Sequence, residues 1–309
     1  MNCITTPILI ISFNRPDISA QTFDYVRKAQ PQKLYVAVDG PRSDKEGEAK
    51  LVQQVKKVVE KVDWPCETHY KYNETNNGAE VTVSSAISWV FESEEYAIIL
   101  EDDIIAPLSF IKFAQEMLIK YKDDERIGTV TGSNFTPIPI RNNTDYFFAK
   151  YGHSWGWATW KRAWDSFDLN IKVPQKHLSL NFLKTITNSE KEAKFYQKQF
   201  NQINKRGQGN STWDNIGNYF LRVNNRLSVI PRVNLTSNIG EYGLHARGKS
   251  DHHFRPFDEN FKVINHPQKV ECFTEYDIHH FNNYIYKPKT FYKRVINKIK
   301  RFLNTINTN

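Results

Sequence analysis

Three consecutive carboxylates, Glu101-Asp102-Asp103, close the apolar run Tyr96-Ala97-Ile98-Ile99-Leu100. The run is short and unbroken, which reads as a buried strand and not as an amphipathic surface helix. Three acids inside a core would be strongly penalised. They are tolerated where a strand emerges at the carboxyl edge of an open α/β sheet, the edge at which such sheets place ligands. Clustered carboxylates there suit a hard divalent cation, Mn²⁺ or Mg²⁺, which in turn would hold a diphosphate. A solvated acidic turn with Asp103 as a helix cap is the plain alternative.

The elements that would position this triplet alternate along the first 125 residues. Strand signals at Ile8 to Phe13, Leu34 to Val38, Thr68 to Tyr72 and Tyr96 to Leu100 are separated by helical patterns. Those patterns end near Ala29, cover Lys45 to Lys61, and cover Glu80 to Phe91; a further helix is expected over Ser109 to Tyr121. Such alternation implies βαβ units and a mainly parallel sheet flanked by helices. Right-handed crossovers then bring the turns after the first, second and fourth strands to one edge. Arg15, Asp39 and the acidic triplet should converge there, making an anion site with an acid nearby for a base or a ribose hydroxyl.

Beyond Tyr121 the pattern loosens. Gly152-His153-Ser154-Trp155-Gly156-Trp157-Ala158-Thr159-Trp160 is rich in glycine and tryptophan. Aromatic faces rimmed by polar groups stack on sugar rings, although tryptophans packed under a helix would leave the same signature. A polar, lysine-rich helical stretch over about 175–207 follows, then Thr212-Trp213-Asp214-Asn215 and the loop from Ser237 to His245.

In their order, these motifs resemble inverting glycosyltransferases of the GT-A fold, most closely N-acetylglucosaminyltransferase I and its bacterial relatives. The resemblance runs from about Ile8 to Phe254. It implies that Asp103 is the metal ligand for Mn²⁺ or Mg²⁺, and that Asp102 reaches the ribose. It further implies that Arg15 meets the diphosphate, that Asp39 reads the uracil edge, and that His245 ends a loop near the donor. Trp213-Asp214 is similar to the pair whose aspartate is the general base, and Trp155, Trp157 and Trp213 would line the acceptor. Asp214 as a cap of the following helix is the alternative. Two departures stand out. Asn14 occupies a position that carries an acid in the eukaryotic enzymes, and an insertion between Asp168 and Thr212 implies a reshaped acceptor site.

The implied architecture is a GT-A glycosyltransferase domain over residues 1–255, with a nucleotide-sugar half to about 125 and an acceptor half over 126–255. A C-terminal extension covers 256–309. The implied reaction is metal-dependent transfer, with inversion, of a hexosyl or N-acetylhexosaminyl group from a UDP-linked nucleotide sugar. The acceptor would be a glycan or lipid-linked oligosaccharide in surface polysaccharide synthesis. Two other classes remain open. One is a sugar-phosphate nucleotidyltransferase, though Phe13-Asn14-Arg15-Pro16 lacks the Gly-rich loop expected there. The other is a catalytically inactive nucleotide-sugar binding protein at a membrane surface.

Composition bounds the rest. The chain has 309 residues, 39% hydrophobic, enough for a substantial core. Cys3, Cys66 and Cys272 are far apart and in no metal-ligand spacing, and no segment approaches the ~20 apolar residues of a membrane span. A reduced, cytoplasmic protein is expected. The net charge of +8 is concentrated in Lys287 to Arg301, with seven basic residues and no acid. Phe291, Val295, Ile299, Phe302 and Leu303 recur there at helical spacing, so a helix would be basic on one face and apolar on the other. Peripheral binding to the anionic inner face of the cell membrane is the expectation, with an ordinary packing helix as the alternative. No nucleic-acid partner is expected, because the basic residues form no stripe on a recognisable fold motif.

Overall fold

The computed structural model describes residues 3–140, 143–205, 213–240 and 254–286. Its first half follows the strand–helix alternation closely. Strand β1 (Ile8–Ser12) leads into α1 (Pro16–Ala29), β2 (Lys33–Val38) into α2 (Glu48–Val59), and β3 (Glu67–Tyr72) into α3 (Ala79–Val90). Then come β4 (Tyr96–Glu101), the short β5 (Ile104–Ile105), α4 (Leu108–Lys120) and β6 (Ile127–Thr131). Strands β7 (Tyr146–Ala149) and β8 (Trp157–Trp160) precede four helices: α5 (Lys161–Trp164), α6 (Gln175–Leu178), α7 (Leu180–Ile186) and α8 (Glu190–Lys205). Helix α9 (Trp213–Val223), β9 (Leu227–Pro231), β10 (Ser237–Asn238) and α10 (Thr274–His280) complete the order, and α10 runs into a π turn at Phe281–Ile285.

Eight strands form one sheet in the order β3-β2-β1-β4-β8-β6-β9-β7. The first four in that order are parallel, and β8 is inserted antiparallel between β4 and β6. Strand β9 returns to the parallel direction beside β6, and β7 closes the sheet antiparallel. Strands β1 and β4 are apolar on both faces and buried, as strands covered by helices must be. One face carries Phe23, Val26, Val52, Val55, Phe110 and Phe113 from α1, α2 and α4. The other is covered by Val83, Ile87 and Val90 of α3, with Trp157 and Trp164. The lysine-rich stretch is two short helices, α6 and α7, and the longer α8, and not one helix; with α9 they enclose a separate apolar cluster around Leu183, Phe200 and Tyr219.

The far edge of the sheet is covered and not open. Phe273 N donates to Phe148 O of β7 (2.7 Å), and Asp277 of α10 accepts from Lys150 N. Among the described residues no helix is long and apolar enough to cross a membrane. The basic segment from Lys287 onward lies outside the described residues.

Candidate functional site at the carboxyl edge of the sheet

The triplet emerges where β4 ends, beside the turn that follows β1. Pro16 occupies the first position of α1, where its missing N–H is not needed, and this places Arg15 at the cap. Arg15 turns back onto the acids. Its Nε donates to Asp102 Oδ2 (3.3 Å) and its Nη2 to Asp103 Oδ2 (2.9 Å), with a second, close ion pair from Nη2 to Asp102 Oδ1. Ser19 and Thr22 of α1 donate to Asp102 as well, the latter to its carbonyl (2.7 Å). The amino end of a helix favours such a carboxylate.

Charge is concentrated here beyond what neutral pH makes comfortable. Burial, then the carboxylates of Asp103, Asp102 and Asp214, push Glu101 up to about 8, against the pull of Arg15. Burial also raises Asp102, to about 6, with Arg15 acting against it and Asp103 adding to it. Burial works against the charged Arg15 guanidinium, yet the two aspartates outweigh it and raise its pKa.

Strand β10 pairs with β5 and closes over Asp103. Asn238 Nδ2 donates to Asp103 Oδ1 (3.1 Å), and Gly240 N in turn donates to Asn238 Oδ1 (2.7 Å). A Cβ on Gly240 would collide with Asp103 Oδ2 and crowd Arg15. The space above Asp103 is therefore kept by the absence of a side chain. Among the described residues no cluster of three or more His, Cys, Asp or Glu side chains could hold a metal unaided. A single hard carboxylate at the mouth of the site nonetheless fits Mg²⁺ or Mn²⁺, which is commonly bound by one or two carboxylates plus substrate phosphates.

Asp39 lies at the end of β2 on the same edge, buried. Its Oδ1 accepts from Gly40 N, Asn73 Nδ2 and Asn77 N; its Oδ2 accepts from Asn76 Nδ2 and Gly78 N. Five donors fill the roughly four lone-pair directions of a carboxylate. As placed, Asp39 organises the 73–78 turn, and reading a base would require it to release one of these partners. Asn14, where an acid was expected by likeness, donates to Glu48 Oε1 (2.8 Å), so the acid of this corner comes from α2. Hydrogen bonds from Arg42 and Asn14 outweigh burial and hold Glu48 down at about 2.

The tryptophans divide. Trp157 is 7% exposed and stacks on Trp213 (centroids 5.6 Å, 23°), with Trp164 and Phe167 stacked behind (4.2 Å). A buried indole cannot present its face to a sugar, so Trp157 is a wall behind Trp213 and not an open platform. Its Nε1 is buried without a hydrogen-bond partner. Trp155 instead lines an open cleft of about 340 Å³ together with Phe135, Tyr196, Tyr284 and Asp214.

Asp214 is exposed in the first turn of α9, one residue inside the helix and not before it. Its carboxylate makes no hydrogen bond or ion pair among the described residues, although its field reaches Glu101. Asp214 and the charged cluster thus meet at Glu101, and Trp155 lines the same cleft as Asp214. His245 lies outside the described residues. Sequence pattern did not single out Ser19, Phe135 or Tyr284; Asn238 and Gly240 lie in the loop it did mark, without a role of their own assigned there.

No family model matches the chain, and no curated protein matches it in sequence. Among solved structures, a mannosyltransferase from Pyrobaculum calidifontis in complex with GDP-Man and Mn²⁺ is similar over 60% of this chain (11% identity, TM-score 0.36). The match takes in 53% of that enzyme, so this chain spans about half its length. A 4-diphosphocytidyl-2C-methyl-D-erythritol synthase from Anaerococcus prevotii is similar over 74% of this chain and 87% of its own (11% identity, TM-score 0.35). HddC from Yersinia pseudotuberculosis is similar over 51% and 78%, respectively (12% identity, TM-score 0.31).

Proposed function

We propose that the protein is a metal-dependent inverting glycosyltransferase. It would move a hexosyl or N-acetylhexosaminyl group from a UDP-linked nucleotide sugar to a hydroxyl of a glycan or lipid-linked acceptor. One observation supports this above the others: an exposed carboxylate, Asp214, which makes no hydrogen bond or ion pair among the described residues, lines an aromatic cleft and acts electrostatically on Glu101, next to the Arg15–Asp102–Asp103 cluster. A nucleotidyltransferase needs the charged cluster but has no use for a free carboxylate facing an aromatic sugar cleft.

The chemistry follows from where charge develops. Breaking the sugar–diphosphate bond builds negative charge on the departing phosphate. Arg15 is already fixed beside that position by Asp102 and Asp103, so its donors need little reorganisation. Asp103 would hold the divalent cation, which as a Lewis acid supplies further stabilisation of phosphate charge when bound. Asp102 and the turn held by Asp39 would shape the nucleoside side. On the acceptor side, Asp214 takes the proton from the attacking hydroxyl as a general base, and its freedom from other hydrogen bonds leaves both oxygens available. Trp155 and Trp213 offer aromatic surface to the acceptor ring. Attack from the face opposite the leaving group inverts the anomeric carbon.

The test is incubation with a panel of nucleotide sugars and Mn²⁺, recording nucleotide release and then the configuration of the new linkage by NMR. Nucleotide release with an inverted linkage is the expected result. Retention, or formation of a nucleotide sugar from a sugar phosphate, would overturn the reading.

A further inference from the structure

The aromatic cleft contains a polar device that the transfer chemistry does not use. His153 lines it, and His153 Nε2 meets His280 Nε2 at 3.1 Å. His280 is fully buried on α10, and its Nδ1 meets Thr136 Oγ1 at 2.8 Å. Thr136, His280 and His153 therefore form a chain of hydrogen bonds running from the interior to the cleft. The three come from separate segments, and a chain fixes ring orientation better than any single contact.

Burial first, and Arg255 second, lower the pKa of His153 to about 3. Burial, followed by His153, Arg222, His279 and Arg255, lowers His280 to about 2. Both rings are thus neutral at physiological pH. In a neutral pair one Nε2 donates and the other accepts, which sets the state of the far nitrogen of each ring. His153 lines the cleft, and its far nitrogen, Nδ1, makes no hydrogen bond among the described residues.

The walls around it are flat. Phe135 lies 4.2 Å from the His153 ring, Tyr284 5.5 Å from it, and Phe135 stacks on Tyr284 at 4.8 Å. Trp155 stands edge-on to Phe135 at 5.0 Å. Tyr284 is carried on the π turn Phe281–Ile285, an irregularity common at functional sites. Aromatic rings interleaved with a few placed polar groups, here His153, Gln199 and Asn218, are how pockets recognise small amphipathic ligands.

We propose that this cleft is the subsite for one pyranose ring of the acceptor, and that His153 Nδ1 anchors one of its hydroxyls, with His280 and Thr136 as positioning residues. The proposal rests on the transferase reading for the word acceptor, but not for sugar binding itself. The hydroxyl bound by His153 is distinct from the one attacked, because Asp214 serves the latter. His153 is then a determinant of specificity. A site built to pair a hydroxyl discriminates strongly against a sugar lacking it, since the protein atom is left unpaired.

The experiment uses the full chain labelled at histidine, followed by NMR without donor or metal during titration with methyl glycosides of glucose, galactose, mannose and N-acetylglucosamine. At least one glycoside should shift the His153 ring signals saturably, and deoxygenating one of its hydroxyls should abolish the shift. In turnover assays His153→Ala should raise the acceptor KM about tenfold or more, the loss of one buried hydrogen bond, with a smaller change in kcat. His153→Asn, whose amide can stand where Nδ1 stands, should recover part of that loss. The proposal fails if no glycoside shifts His153, or if Ala and Asn variants bind sugar equally well. Saturable binding in a protein that releases nucleotide from no donor would support the subsite and refute the transferase reading.

Discussion

The two sides of the candidate site are built on opposite plans. On the side of β1, β2 and β4, charged groups are tied to one another and to the backbone: Arg15 grips two aspartates, and Asp39 accepts five hydrogen bonds. On the side of α9 and the β8 segment, polar and aromatic groups share the lining of the cleft, and the Asp214 carboxylate and His153 Nδ1 make no hydrogen bond among the described residues. The difference teaches that a carboxylate at a sheet edge is not defined by its motif. Asp39 and Asp214 are both single aspartates at element ends, yet one accepts five hydrogen bonds and the carboxylate of the other accepts none among the described residues.

The largest expected effect breaks the charged side. Asp103→Ala should abolish metal-dependent donor binding while leaving the fold intact, because removing one carboxylate from a repelling cluster relieves strain and opens no cavity. Calorimetry with UDP and Mn²⁺ checks this, and unchanged affinity would falsify the ligand assignment.

Next in size, Asp214→Asn should bind donor normally and lose transfer by about a hundredfold or more, the scale of a general base. Wild-type turnover in that variant would leave Asp214 as an ordinary first-turn acid.

A third experiment sets the two aspartates side by side in stability. Asp39→Ala strands several donors, three of them backbone amides, and should cost about 2–4 kcal/mol in denaturant unfolding. Asp214→Ala should cost less than about 1 kcal/mol, the value of a first-turn acid on a helix dipole. Equal losses would erase the distinction between them.

A fourth experiment concerns pH. His153 and His280 have depressed pKa values in the folded protein, so below the ordinary histidine range the unfolded chain binds protons that the folded one does not. Stability should therefore fall as pH drops from about 6.5 towards 3, by up to about 1.4 kcal/mol per pH unit for each histidine. His280→Phe should flatten that slope by about one proton, read from denaturant midpoints across the range. An unchanged slope would mean that the pair does not titrate as a buried neutral unit.

How much of this was legible follows the same division. The strand–helix alternation of the first half, with its parallel sheet, was readable because β1, β2 and β4 are short apolar runs ending in polar turns, while β3 is a polar edge strand. Arg15, Asp39 and Asp103 could be placed on one edge from topology alone. The insertion of β8 antiparallel between β4 and β6 was not readable, since its tryptophans carry no alternation that distinguishes strand from loop. Trp155 and Trp157 looked equivalent; Gly156 between them, at φ 73°, turns the chain before β8 begins, so that one lines the cleft and the other is buried in the core.

Sequence by itself determined the charged side, because local rules decide it: strands expose their ends at one sheet edge, and proline and glycine mark the turns. Only the tertiary structure decided the aromatic side. Phe135, His153, Asp214 and Tyr284 come from four segments separated by tens of residues, and no periodicity links them. Their meeting depends on the packing of α9 and α10 against the sheet. Whether a given aspartate is saturated or free is settled by which backbone amides arrive beside it, and that is a property of the fold and not of the residue.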